Sequence, residues 1–192
     1  MQVLLLLGSY LIGSIPCGYL IGRKYRIDIR RYGSGNIGAT NAFRVLGPRV
    51  GLLVLLCDAA KGFFPVLIIN HFFGPAWAVM AGLAAMAGHN WSLFLGFRGG
   101  RGVATGAGVV LALMPGVVAV ALVIWLAVVL ITGYVSLASI FAALFVPLIA
   151  FFFKVPPLYY LFAIPAPLIV VYRHLPNIRR LQKGTEPRIR FR

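Results

Sequence analysis

Three of the short polar segments that interrupt this apolar chain carry residue types suited to holding an anion. The first, YGSGNIGATNAFRVLGPR at residues 32–49, combines glycines with small hydroxyl and amide side chains. Such a stretch can point successive backbone N–H groups at a phosphate or carboxylate. Gly33, Gly35 and Gly38 match the spacing GxGxxG. A dinucleotide fold, however, needs a strand before that motif and a soluble βαβ unit around it. A generic phosphate cradle and a flexible interhelical loop both remain open for this segment.

The second segment is GHNWSLFLGFRGGRGVATG at residues 88–106. Arg98 and Arg101 flank Gly99 and Gly100, and Gly102 follows. Glycine lets a backbone approach a ligand closely, and two guanidinium groups supply charge-assisted contacts to phosphate oxygens. The plainer alternative is that both arginines anchor a helix end among lipid headgroups. His89 and Asn90 sit just before the loop, and His89 alone reads as a satisfied polar residue.

The third segment, YRHLPNIRRLQKGTEPRIR at residues 172–190, sets Arg173, Arg179, Arg180 and Lys183 around His174 and Asn177. Part of that basic surface binds anionic headgroups. His174 can serve as base, acid or hydrogen-bond donor. Glu186 is the only acid after Asp58, and among so many cations it reads as a structural ion pair or helix cap.

These segments have to be positioned by elements of a particular kind. The chain has 192 residues, of which 61% are hydrophobic and 11% charged, and its mean hydropathy is +0.95. A soluble domain is nearer 45–50% apolar and about 25% charged. The composition therefore requires an integral membrane protein. Cys17 and Cys57 lie inside apolar runs and read as reduced core residues, not as a disulfide or zinc ligands. His71, beside two phenylalanines, reads as interfacial.

The eighteen lysines and arginines outnumber the three acids, giving a formal charge of +15. Sixteen of the eighteen fall at residues 23–31, at Arg44 and Arg49, at Arg98 and Arg101, and in the tail from Arg173. The positive-inside bias places all four clusters in the cytoplasm. Residues 1–22 then cross once, 50–97 twice and 103–172 four times, because two crossings of 35 residues exceed the ~20 that a bilayer needs. The expectation is an all-α polytopic membrane protein with seven transmembrane helices, the N-terminus outside and the C-terminus cytoplasmic. The spans are near 3–22, 50–71, 76–94, 103–114, 116–132, 135–153 and 157–173, in a single membrane-embedded domain over 1–192. Cations after the first apolar run mark an uncleaved anchor. Asp58 and Lys61, one helical turn apart within the second span, are expected to neutralise each other and face the site.

Taken together and in order, GSGNIGATNAFR, GHNWSLFLGFRGGRGVAT and HLPNIRRLQKGTEPRI resemble the bacterial acyl-phosphate:glycerol-3-phosphate acyltransferase family, PlsY. The resemblance spans nearly the whole chain, including DAAKG at 58–62. One departure stands out: the second motif of that family usually reads GGKG, and here Arg101 replaces the lysine. The resemblance implies transfer of a fatty acyl group from acyl phosphate to the 1-hydroxyl of sn-glycerol 3-phosphate. The products would be 1-acyl-glycerol 3-phosphate (lysophosphatidate) and inorganic phosphate, in the first acylation of bacterial phospholipid synthesis.

It also implies roles for residues. Ser34 and Arg44 would be an essential pair, with Asn36, Thr40 and Asn41 lining the site. Gly99, Gly100 and Gly102, with Arg98 and Arg101, would hold the phosphate of glycerol 3-phosphate. Lys61 is counted with these substrate-binding residues and Asp58 with the structural ones. His174 and Asn177 would be catalytic, and Glu186 structural. No metal, cofactor or nucleic acid is expected. The expected partners are the two substrates and the lipids of the bacterial cell (inner) membrane, with the active site facing the cytoplasm; the soluble enzyme that makes the donor is a further candidate.

Acyl phosphate is already activated, so an acyl-enzyme nucleophile is not required. Direct attack by the glycerol hydroxyl, with its proton passing to the departing phosphate, is the preferred mechanism; His174 as general base is the competing one. A transporter for phosphate or a small organic anion is the rival function, although its pathway would need polar lining across the whole bilayer. A lipid phosphotransferase using CDP-activated substrates would need a carboxylate-held metal, and three scattered acids do not supply it.

Overall fold

Prolines and glycines punctuate the apolar runs, and the helices start and stop where they stand. The computed structural model describes residues 2–189, and no strand occurs among them. In chain order the helices are α1 (Gln2–Ser14), α2 (Cys17–Lys24), α3 (Ala39–Leu46), α4 (Pro48–Phe73), α5 (Pro75–Asn90), α6 (Val103–Leu113), α7 (Pro115–Thr132), α8 (Val135–Phe152), α9 (Tyr160–Ala163), α10 (Pro165–Arg173) and α11 (Leu175–Gln182). Helices α4, α5 and α7 open on proline, whose missing N–H has no acceptor to lose in a first turn. Helix α7 ends at Gly133, which takes a left-handed φ of 73°.

Two prolines bend helices that would otherwise run on. Pro16 separates α1 from α2 at a 40° bend. Pro176 cannot donate to the carbonyl four residues before it and crowds it, so the segment ending in α10 meets α11 at 53°. His174 lies in that second bend, between the two helices.

Each of the seven apolar runs expected to cross is helical, but they are not equal. Four helical stretches are long and apolar enough to cross a membrane: Pro48–Phe73, Pro75–Leu95, Pro115–Thr132 and Val135–Phe152. The two bent pairs raise the number to six. Helix α6 has 11 residues, about 16 Å of helix, roughly half of an ordinary hydrocarbon core.

The chain forms two compact units, one ending at Leu113 and the other beginning at Met114. In the first, α1 packs along α5, and α4 packs against α3, α5 and α6. These helices approach to backbone contact: a Cβ on Gly62 would run into the Thr105 carbonyl, and one on Gly108 into that of Ala59. Gly13 meets Ala85 in the same way, and Gly88 meets Tyr10. Small residues at such crossings are the usual means of packing helices where lipid is as apolar as leucine. In the second unit α8 packs against α7 and α10. The outer faces carry exposed leucines and other large apolar residues, among them Leu52, Leu56, Leu122 and Ile131.

Gly62→Ala and Gly108→Ala are expected to lower stability by about 1–3 kcal/mol each, because backbone cannot move aside for the added methyl. Gly8→Ala, where nothing lies within 4 Å, is the control. Apparent Tm in detergent checks this; equal melting of all three variants contradicts the α4–α6 contact.

Candidate active-site elements

The segment between α2 and α3 is organised by one amide. Asn41, on the first turn of α3 and 1% exposed, accepts from the Ser34 N–H at 2.9 Å. Its Nδ2 donates to the carbonyls of Ile29, Tyr32 and Asn36 at 2.9, 3.2 and 2.8 Å. Every turn from 29 to 36 is thereby tied to one side chain. Gly33, at φ +60°, lies so close to Oδ1 of Asn41 that a Cβ there would collide with it. Ser34, Asn36, Thr40 and Arg44 are half-buried around this frame. Asn41 was expected to line the site; its amide is used by the loop, so it fixes where Ser34 stands.

Upstream, Asp28 takes a bidentate contact from Arg30, Nε to Oδ1 at 2.9 Å and Nη2 to Oδ2 at 2.7 Å. The Arg30 hydrogen bonds hold the Asp28 carboxyl down at about 2. The same guanidinium lies 4.4 Å from the centre of the Tyr19 ring.

After α5 the chain reverses through Gly96 and Phe97, both at positive φ. It then returns over the end of the helix it left: Gly99 N–H donates to the Asn90 carbonyl at 3.2 Å and Gly100 N–H to the His89 carbonyl at 2.9 Å. Two carbonyls at the C-terminus of α5 are satisfied in this way. Gly102, at φ +79°, turns the chain into α6 beside the Asn90 amide. What the segment offers outward is therefore its guanidinium groups: Arg98 is exposed and Arg101 half-buried. Ser92 Oγ bonds the Ser14 carbonyl at 2.5 Å and Tyr10 bonds that of Trp91 at 2.7 Å, fastening the turn to α1.

Beneath lies the expected ion pair. Lys61 Nζ is 2.9 Å from Asp58 Oδ1, with both side chains almost wholly buried. The same ammonium donates to the Ile15 carbonyl at 2.8 Å. That carbonyl belongs to the break that Pro16 makes, where regular helix bonding fails. His89 Nδ1 faces Asp58 Oδ1 at 3.7 Å. Sequence reading took His89 as a satisfied polar residue and did not foresee its place beside Asp58. The available signal was an ionisable residue inside an apolar run, which membrane helices seldom carry without a reason.

In the second unit Nδ1 of His174 lies 2.8 Å from the Val170 carbonyl. A carbonyl only accepts, so Nδ1 bears the hydrogen and the neutral ring has its lone pair on Nε2. Asn177, one turn on, donates to Glu186 Oε1 at 2.7 Å, as does Ser136 from α8. Arg180 Nε reaches Oε2 at 2.7 Å. Glu186 thus pairs with Arg180 and ties the tail to α8 and α11; of the two alternatives left by the sequence, an ion pair or a helix cap, the contact is the ion pair, and Ser136 was not foreseen. Burial alone would raise the Glu186 pKa, but the Asn177, Ser136 and Arg180 bonds outweigh it and the net shift is downward. Arg190 and Arg192, counted among the basic tail residues, lie outside the described residues.

These elements match known proteins along almost their whole length. A family model described as glycerol-3-phosphate acyltransferase covers residues 3–184. Glycerol-3-phosphate acyltransferase 2 of Moorella thermoacetica is 50% identical over 190 residues, covering 98% of each chain. The Desulforudis audaxviator glycerol-3-phosphate acyltransferase is 48% identical over 194 residues, covering all of this chain and 98% of its own length. The chain belongs to the glycerol-3-phosphate acyltransferase family. Among solved structures it superposes on PlsY, an integral membrane glycerol 3-phosphate acyltransferase, in its glycerol 3-phosphate form with a TM-score of 0.95 at 41% identity, covering 98% of this chain and 96% of that one. The lysophosphatidic acid form gives 0.93.

The Glu186 shift has a sign that can be tested. A carboxylate with a depressed folded-state pKa adds stability above its unfolded pKa and loses it as pH falls through the folded one. The wild-type chain is expected to melt above Glu186→Gln at neutral pH. The gap should narrow from about pH 5 downward, and a gap that stays constant into acid counts against the buried carboxylate.

Proposed function

We propose that this glycerol-3-phosphate acyltransferase takes its acyl group from a fatty acyl phosphate and transfers it directly. The acceptor's 1-hydroxyl attacks the carbonyl carbon, the bond from that carbon to the phosphate oxygen breaks, and the hydroxyl proton goes to the departing phosphate. One lysophosphatidate and one inorganic phosphate leave. The observation that supports the acceptor and product of this reading is near full-length likeness to a solved acyltransferase in forms named for glycerol 3-phosphate and lysophosphatidic acid; the donor rests on the motif resemblance.

Arg98 and Arg101, on the segment Gly99–Gly102, hold the glycerol 3-phosphate phosphate. Ser34 and Arg44, with Asn36 and Thr40 nearby, orient and polarise the reacting groups; positive charge preplaced for the phosphates is worth most where water is excluded. Lys61 is occupied by Asp58 and Ile15 and supports the site from behind. His174 and Asn177 are needed for turnover. The Nδ1 partner of His174 is a backbone carbonyl and not a carboxylate, which favours a ring that accepts or donates a hydrogen bond over one that carries off a proton. The soluble enzyme that makes acyl phosphate is the proposed supplier of the donor.

In the cell membrane the chain crosses seven times, with α6 as a short crossing beside α4. The N-terminus is outside, and the basic segments and active site face the cytoplasm. In a background without Cys17 and Cys57, Val155→Cys should react with an impermeant thiol reagent from outside; reaction of Ser34→Cys from outside overturns this topology.

Phosphate released from acyl phosphate only when glycerol 3-phosphate is present separates the enzyme from an anion transporter. On the direct route, His174→Gln or His174→Asn keeps measurable turnover and His174→Ala loses more. Loss of 10²–10⁴ in every well-folded His174 variant, with the histidine limb of the pH–rate profile gone, would establish it as the general base instead.

A further inference from the structure

His89 is the buried ionisable residue of the first unit that the proposed reaction leaves without a task. It is 3% exposed, on the last turn of α5, and the segment bearing Arg98 and Arg101 folds back onto it. Gly100 donates its N–H to the His89 carbonyl at 2.9 Å. A Cβ built on Gly100 would collide with Nε2 of the His89 ring and come within 2.8 Å of Cε1 and 3.1 Å of Cδ2. All three nearest obstacles are atoms of that one ring. On its other side, the ring presents Nδ1 to Asp58 Oδ1 at 3.7 Å, and Asp58 is itself held by Lys61 at 2.9 Å. The ring is thus backed by a buried ion pair on α4 and lies against the backbone between the two arginines.

We infer that His89 is a positioning residue for the acceptor: its imidazole is the seat on which Gly100 rests, and it sets the height at which Arg98 and Arg101 meet the phosphate of glycerol 3-phosphate. This rests on the proposed assignment of residues 98–102 to that phosphate. A side chain packed to contact density cannot shrink without its neighbour following. A loop moved by an ångström weakens charge-assisted contacts that depend on geometry. The need for glycine at residue 100 follows from the same contact. Its φ is not in the left-handed region, so backbone conformation does not demand glycine there. The neighbouring glycines differ: Gly99 is blocked by the backbone of His89 and Asn90, and Gly102 has a φ of +79°.

That difference makes a size-exchange experiment decisive. His89→Ala and Gly100→Ala should each raise the glycerol 3-phosphate KM about tenfold while kcat stays within about threefold. In the double variant the new methyl enters the space left by the ring, and KM should fall at least threefold below that of Gly100→Ala alone. Gly99→Ala, blocked by backbone, should gain nothing from His89→Ala. Apparent Tm in detergent is measured throughout. Where His89→Ala does not fold, His89→Asn makes the same comparison, because it keeps a polar group near Asp58 and withdraws Nε2 and Cε1 from Gly100. A double variant no better than Gly100→Ala overturns the inference. So does a His89→Ala defect that appears in kcat alone, which would indicate chemistry instead of placement. Arg101→Ala distinguishes the underlying assignment: an unchanged glycerol 3-phosphate KM there removes residues 98–102 from the phosphate site, whereas a raised KM without exchange at Gly100 and His89 removes only the role of the ring.

Discussion

Lys61 bonds at once to Asp58 and to the Ile15 carbonyl, and the first unit depends on that junction. A buried charge is tolerated only when paired and hydrogen-bonded. The Ile15 carbonyl accepts the Cys17 N–H at 3.0 Å and takes the Lys61 ammonium as a second donor. That ammonium neutralises the carboxylate of its own helix and ties it to the break that Pro16 makes between α1 and α2. Removing either partner would strand the other, which is why breaking a buried pair is far more damaging than the net worth of the pair suggests.

The second unit solves a similar problem with Glu186. Its two carboxylate oxygens collect Asn177, Ser136 and Arg180, so a tail with no regular structure is fastened to two helices. Asn177 spends its Nδ2 on this contact. Asn41 does the same work for the first motif on a larger scale, bonding four backbone groups across the turns that carry Ser34. Asn41 and Asn177, to which the resemblance gives site roles, also hold backbone and tail in place through their amides.

On the proposed direct route the chemistry needs little from the protein beyond this placement. The donor proposed here is activated and its leaving group can accept a proton, so the barrier falls mainly through orientation and positive charge. Two arginines on a loop pinned to the end of α5 suit that task, because the amides of Gly99 and Gly100 are used in holding the loop still. Arg101 carries its charge in a planar, forked shape suited to two contacts with one phosphate.

The sequence by itself determined the membrane class, the seven apolar runs, the order of the three motifs and the pairing of Asp58 with Lys61. Each of these depends on composition or on spacing along one helix, and an i,i+3 pair needs no knowledge of the rest of the chain. It narrowed Glu186 to a structural ion pair or a helix cap, since an isolated acid among cations has few other uses. Only the tertiary structure decided the remainder. The bond from Lys61 to Ile15 spans 46 positions and the one from Ser136 to Glu186 spans 50, and no periodicity encodes such contacts. The resemblance gave Asn41 a place in the lining of the site, and an amide's type does not reveal that four backbone groups are its partners. His89 read as a satisfied polar residue, and its type did not reveal its neighbours either. Its ring acquires a neighbour only when the chain reverses at Gly96 and Phe97 and sets Gly100 down upon it.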